Sequence, residues 1–170
     1  MGRQGHAFPA LADGAQQFWQ GLWTTFVPPR VRVQAWRFCD EATPTMANLA
    51  QKHAGVETHC VLCGAEVETT KHVLLEGPFA RVVWALSHIP WVVLHRWDGD
   101  TAGWFSAAIR RLGLKGTPRF LMLCWALWRN RNRRRMEGVV WEPLQVVNDA
   151  LLLLSQYQEA RTKLRLGLLR

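Results

Sequence analysis

Cys60 and Cys63 are separated by two residues, His72 follows after a further eight, and Gly77 after four more. Two cysteines at that spacing reach one tetrahedral ion from a tight turn, and Gly64 just behind them permits the backbone curl that turns both sulfurs inward. An imidazole on the following helix supplies a third bond, so these residue types suit zinc. A fourth soft ligand is expected about one turn after His72, where position 77 is glycine. Glu76 and His59 are the candidate substitutes, the first at i+4 from His72 and the second beside Cys60. Glu68, at i−4, is placed to orient the imidazole.

Other chemistries fit the same residues less well. A redox pair needs a low-pKa thiol at a helix N-terminus beside a strand, and neither is evident. A catalytic zinc would use the open fourth position, but no placed general base or substrate pocket accompanies it. The remaining cysteines, Cys39 and Cys124, sit among apolar residues and read as core. Pro9, Asp13 and Gly14 interrupt the first 30 residues, so no export signal is expected and the four thiols do not suggest a disulfide scaffold. The longest apolar run, which contains Leu121 to Trp128, is less than half of the roughly 20 residues a membrane span requires. An intracellular protein with no membrane partner is expected.

A second set lies downstream. Arg129, Arg131, Arg133, Arg134 and Arg135 fill five of seven positions, one to two turns after Trp125 and Trp128. Residues 1–100 hold eight Lys/Arg and nine Asp/Glu, whereas 101–170 hold thirteen and four, so the formal charge of +8 arises wholly in the C-terminal part. Guanidinium groups bind phosphates in bidentate fashion, which makes the five arginines candidates for contact with RNA or DNA, or for a nuclear address. The competing reading is a solvated run of cations favoured by a helix C-terminus. Trp125 and Trp128 read as core, because their helix is apolar all round.

The elements that must position these residues are helical. A lead-in over 1–17 carries no apolar period, and order is expected from Phe18. Pro28-Pro29 opens a helix with Val31, Ala35 and Phe38 on its inner face and Arg30, Gln34, Arg37 and Glu41 on its outer one. A second helix starts near Thr43-Pro44-Thr45 and carries Met46, Leu49, Ala50 and His53 on one stripe. Residues 55–67 read as loop, and helix returns from Thr69 to Leu75. After Gly77-Pro78 it resumes to Leu86 with Val82, Val83 and Trp84 buried. Residues 89–103 look irregular, with a strand possible around Trp91 to Leu94. Trp104–Leu112 is a short helix ended by Gly113. Pro118 begins another that runs into the arginines, and Pro143 opens the last, with Leu144, Val147, Leu151 and Leu154 inward to about Ala160. The expected fold is mainly α: a small helical domain with a zinc-knuckle-like loop over 18–88, an irregular linker over 89–103, and a basic helical lobe over 104–170.

The order Phe18-Trp19…Leu22-Trp23, Val27-Pro28-Pro29-Arg30-Val31, Ala35-Trp36-Arg37, Thr43-Pro44-Thr45…Leu49, Cys60-x2-Cys63, Glu68-Thr69…His72-Val73-Leu74, Pro78-Phe79-Ala80…Val83-Trp84 resembles the reverse-transcriptase zinc-binding domain of plant LINE-type (non-LTR) retrotransposons. Trp125-Ala126-Leu127-Trp128-Arg129-Asn130-Arg131-Asn132 is similar to the helix that follows this domain in such polyproteins. The resemblance covers about residues 18–160. It implies a non-catalytic, zinc-binding accessory module that works beside a polymerase domain and contacts RNA or DNA. The family's fourth ligand, a cysteine just before the Pro-Phe-Ala segment, is replaced by Gly77. The paired catalytic aspartates of the polymerase and the ribonuclease H domain are absent from the chain, so neither activity carries over. The alternative is a decayed retroelement fragment with a degenerate metal site and no selective ligand.

Overall fold

The computed structural model describes residues 14–64, 67–95 and 99–167. Most of the expected lead-in lies outside them, but helix α1 already spans Ala15–Thr24, so order begins before Phe18. The remaining elements are α2 (Pro29–Cys39), α3 (Met46–Lys52), a π-helical turn (His72–Glu76), α4 (Pro78–Leu86), α5 (Trp91–Leu94), α6 (Thr101–Glu137) and α7 (Pro143–Gly167). Among the described residues the only β pairing is an isolated antiparallel bridge between His59 and Val67. The fold is mainly α, as the periodicity requires.

Local chemistry sets most boundaries. Prolines occupy the first turns of α2 and α4, where a missing N–H costs nothing. Thr45 caps α3 by accepting from Asn48 N at 3.2 Å, and Asp100 caps α6 by accepting from Gly103 N at 2.7 Å. Gly138, at φ 70°, ends α6 in the left-handed conformation that glycine adopts at least cost. Within α6, Gly113 at φ 60° and ψ −167° breaks the helix where a stop is expected, and the chain restarts ahead of Pro118.

α6 is the spine. It packs against α7, α2, α5 and the π turn, while α4 packs against α7 and the π turn. One core runs through both ends of the chain: Phe38 of α2 meets Phe105 and Trp128 of α6, and Trp84 of α4 stacks on Phe120 at 5.9 Å. The segment expected as a linker between two lobes therefore separates no cores; Ile89 and Leu94 are themselves buried in it. Trp84 Nε1 donates to Leu74 O at 2.6 Å and Trp104 Nε1 to Leu94 O at 2.9 Å, so these two buried indoles anchor the π turn and α5 as well as filling space.

Several sequence expectations change. Trp91–Leu94 is a short helix opened by Pro90, not a strand. Val82 is exposed, because a helix that buries Val83 and Trp84 turns position 82 outward. Leu144 is exposed and Val146 and Ala150 take the inner face of α7 with Val147 and Leu154. α7 also continues past Ala160 to Gly167, its described residues from Glu159 onward exposed. Gln34, expected on the polar face of α2, is buried with its Nε2 3.5 Å from Thr43 Oγ1. The stripe on α3 stays half-exposed or exposed. No helix among the described residues is long and apolar enough to cross a membrane.

Candidate metal centre

The Cys60–Cys63 turn is closed by Gly64 N donating to Cys60 O at 2.7 Å, with Gly64 at φ 73°, and Leu62 N points at Cys60 Sγ at 3.4 Å. Glu68 N donates to Thr58 O at 2.8 Å, which returns the chain alongside the turn and delivers it to the helical segment carrying His72. That segment is wound as a π turn: Gly77 N donates to His72 O at 2.8 Å, five residues back, where an α-helix would bond four back. The wider winding brings His72 and residue 77 to the same side of the helix.

The result is one donor group. A sulfur of Cys60, a sulfur of Cys63 and a ring nitrogen of His72 all lie within 4.8 Å of one another, and Cys63 Sγ is 3.4 Å from His72 Nε2. A tetrahedral zinc with Zn–S about 2.3 Å and Zn–N about 2.0 Å needs donors roughly 3.5–3.8 Å apart, so the Cys63–His72 pair is close to that spacing and the group could hold the ion. A cavity of about 10 Å³, lined by all three donors together with Gly77 and Phe79, sits at the lower limit of what admits one water. Zinc bound there would act by cross-linking the turn to the π segment, with no fourth protein donor among the described residues.

Burial pushes the Cys60 thiol up to about 11, against backbone hydrogen bonds that pull it down. The metal-free site therefore holds a protonated Cys60 at neutral pH. Burial likewise raises Cys39 and Cys124 well above the ordinary range, which fits their place in the core and leaves them no ligand role.

Neither proposed substitute joins the donors. His59 is exposed, its backbone in the bridge to Val67, and alternation along an extended chain aims its side chain away from that of Cys60. Glu76 is exposed and its Oε1 is 2.9 Å from Lys71 Nζ. Glu68 serves the site by a route that the i−4 spacing does not suggest. Its Oε2 accepts from Val61 N at 3.2 Å, inside the metal turn, and its Oε1 accepts from Met46 N at 2.9 Å and from Arg131 Nε at 3.0 Å.

The five arginines do not form one face. Successive residues step 100° around a helix, so 129 and 133 share a side while 131 points across it. Arg131 is 1% exposed and is paired with Glu68, which removes it from any surface contact. Arg129 is bonded to Asp149 at 3.0 Å, and Arg133 lies 3.9 Å above the Trp141 ring. Between them Asn130 grips the backbone of Trp141 with both ends of its amide. Arg134 and Arg135 are exposed, and Arg134 also reaches Gly138 O at 2.9 Å. Trp128 is core, as expected, and Trp125 is half-buried under Arg30 and Arg129. Sequence reasoning missed the partnership of Glu68 with Arg131; the only signal was the acidic residue of one motif and the basic residue of the other.

No curated protein and no solved structure matches the chain. Residues 6–84 match the family model described as zinc-binding in reverse transcriptase, a span that holds all three donors and supports reading it as that zinc-binding domain.

Proposed function

We propose that the chain is a non-catalytic, zinc-binding accessory module of a LINE-type (non-LTR) retrotransposon reverse transcriptase of plant origin, acting beside the polymerase domain inside the cell, and in the nucleus. The observation that carries the metal reading is the convergence of Cys60, Cys63 and His72 from a turn and a π segment onto one ion-sized space. The order of motifs through both halves of the chain supports the retroelement origin, as does the family match over residues 6–84. RNA or DNA is bound through phosphates by the exposed cations of the C-terminal region, among them Arg134 and Arg135 and, on α7, Arg161, Lys163 and Arg165. Arg131 takes no part in that contact, and Arg129 and Arg133 contribute less than free cations would, since Asp149 and Glu137 lie against them.

One observation favours the alternative, a decayed fragment with a dead site: a glycine stands where the fourth donor belongs. Zinc stoichiometry on the chain purified without chelator, with circular dichroism before and after metal removal, separates the two. One zinc per chain and loss of helix on chelation is the outcome expected of a working module. A chain that holds no zinc and keeps its fold would make it a remnant.

A further inference from the structure

The least exposed ion pair among the described residues joins the metal turn to a helix 63 residues away. Glu68 and Arg131 have side chains 0% and 2% exposed. The guanidinium is held on three sides, by the carboxylate, by Asn132 Oδ1 at 2.9 Å from Nη1, and by the Trp128 ring 4.7 Å beneath it. Buried pairs add little net stability, because desolvating two charges offsets most of their attraction. What this pair does is fix an acceptor. With Oε1 occupied by Arg131 and Met46 N, the other oxygen, Oε2, faces Val61 N, the amide immediately after Cys60 and two residues before Cys63. The orientation of that peptide sets where both sulfurs point.

We propose that Glu68 and Arg131 are positioning residues for metal binding: they hold the Cys60–Cys63 turn in its donor geometry before the ion arrives. α6, which lies beyond the family-matched span, thereby sets the affinity of a site whose ligands all lie within it. With three donors among the described residues, the site gains less from the metal with which to organise its own loop, so preorganisation carries more of the binding. Without the guanidinium the carboxylate is drawn toward water, Val61 N loses its acceptor, and the turn must be ordered at the expense of metal affinity. The inference rests on the zinc reading above.

The test compares zinc affinity, by competition with a colorimetric chelator, and the visible spectrum of the cobalt-loaded protein for the unaltered chain, Arg131→Met and Leu123→Ala. Leu123 is fully buried in the same helix and serves as the control for destabilisation alone. At a temperature where all three are folded, Arg131→Met is expected to bind zinc about 10- to 100-fold more weakly with a shifted cobalt spectrum, as losses of outer-shell partners do. Leu123→Ala is expected to stay within about threefold, since Leu123 lies about two helical turns before Arg131 and contributes no polar side-chain group to this relay. Equal losses in both variants, or none in Arg131→Met, would overturn the proposal. Should Arg131→Met fail to fold, amide exchange in the unaltered, metal-free chain decides: Val61 N is expected to exchange at least about 100-fold slower than an open amide. Exchange at the open rate would overturn the proposal. An unaltered chain that binds no zinc would remove the zinc reading, while the protection of Val61 N still reports whether Glu68 holds the turn.

Discussion

A Cβ placed on Gly77 would lie 2.9 Å from His72 Nε2 and 2.8 Å from the His72 carbonyl oxygen. The position is therefore aimed at the metal site, and in this chain the π turn has closed into the space a side chain there would need. The φ of Gly77 is −62°, so the glycine is not demanded by backbone conformation but by that contact.

Gly77→Cys should accordingly split its effect by metal. In chelator, the clash with a backbone oxygen cannot be relieved by a rotamer change alone, and the variant should lose about 1–3 kcal/mol. With zinc, the added thiolate completes the tetrahedral set, and affinity should rise about tenfold or more. Urea unfolding with and without zinc reads both. A loss of the same size in the two conditions would mean that the turn cannot reopen to admit the ligand.

Stability of the metal-free chain should fall at alkaline pH. The Cys60 thiol is raised to about 11 from its ordinary value of 9.0, and Cys39 and Cys124 move the same way. The folded state then binds more protons than the unfolded one between those values, so stability is full below pH 9 and declines as pH rises through 11. Zinc must displace the same proton, so its affinity should fall as the solution is acidified from pH 9 toward neutrality. Denaturant midpoints in chelator across pH 7–11 and zinc competition across pH 6–9 check the two signs.

The arginines should separate into structural and surface groups. Arg131→Ala leaves the buried Glu68 carboxylate without its cation and should cost about 3–5 kcal/mol. Arg134→Ala with Arg135→Ala should change stability by no more than about 0.5 kcal/mol. The same double variant should weaken single-stranded RNA binding and reduce the salt slope by roughly 1–2. Binding that is indifferent to the double variant and to salt would remove these two residues from the nucleic-acid contact.

Asn130 is 3% exposed and makes two bonds to the Trp141 backbone, Nδ2 to O at 3.3 Å and Oδ1 from N at 2.9 Å. Asn130→Ala should cost about 1–3 kcal/mol by leaving those backbone groups without partners. A denaturant midpoint shifted by less than a tenth of that amount would show that Trp141 is held by Arg133 and its packing instead.

What the sequence by itself determined was local. The turn chemistry of Cys60-x2-Cys63-Gly64 and the His72 that follows lie within 13 residues, so the donor group could be read from spacing. Pro29, Thr45, Pro78 and Pro143 mark helix starts, and Gly113 and Gly138 mark stops, because each acts through its own backbone or the next turn. Tertiary structure alone decided which member of a run faces which neighbour. Five arginines in seven positions look like one patch along the chain, yet a 100° step distributes them around α6, and only the arrival of Glu68 from 63 residues away makes 131 the buried one. Gln34 and Val82 exchanged their expected sides, one turned inward and one outward, for the same reason. The Cβ vector of residue 77 depends on the π winding, which requires Gly77 N to bond His72 O, a choice that residue types along the segment do not express.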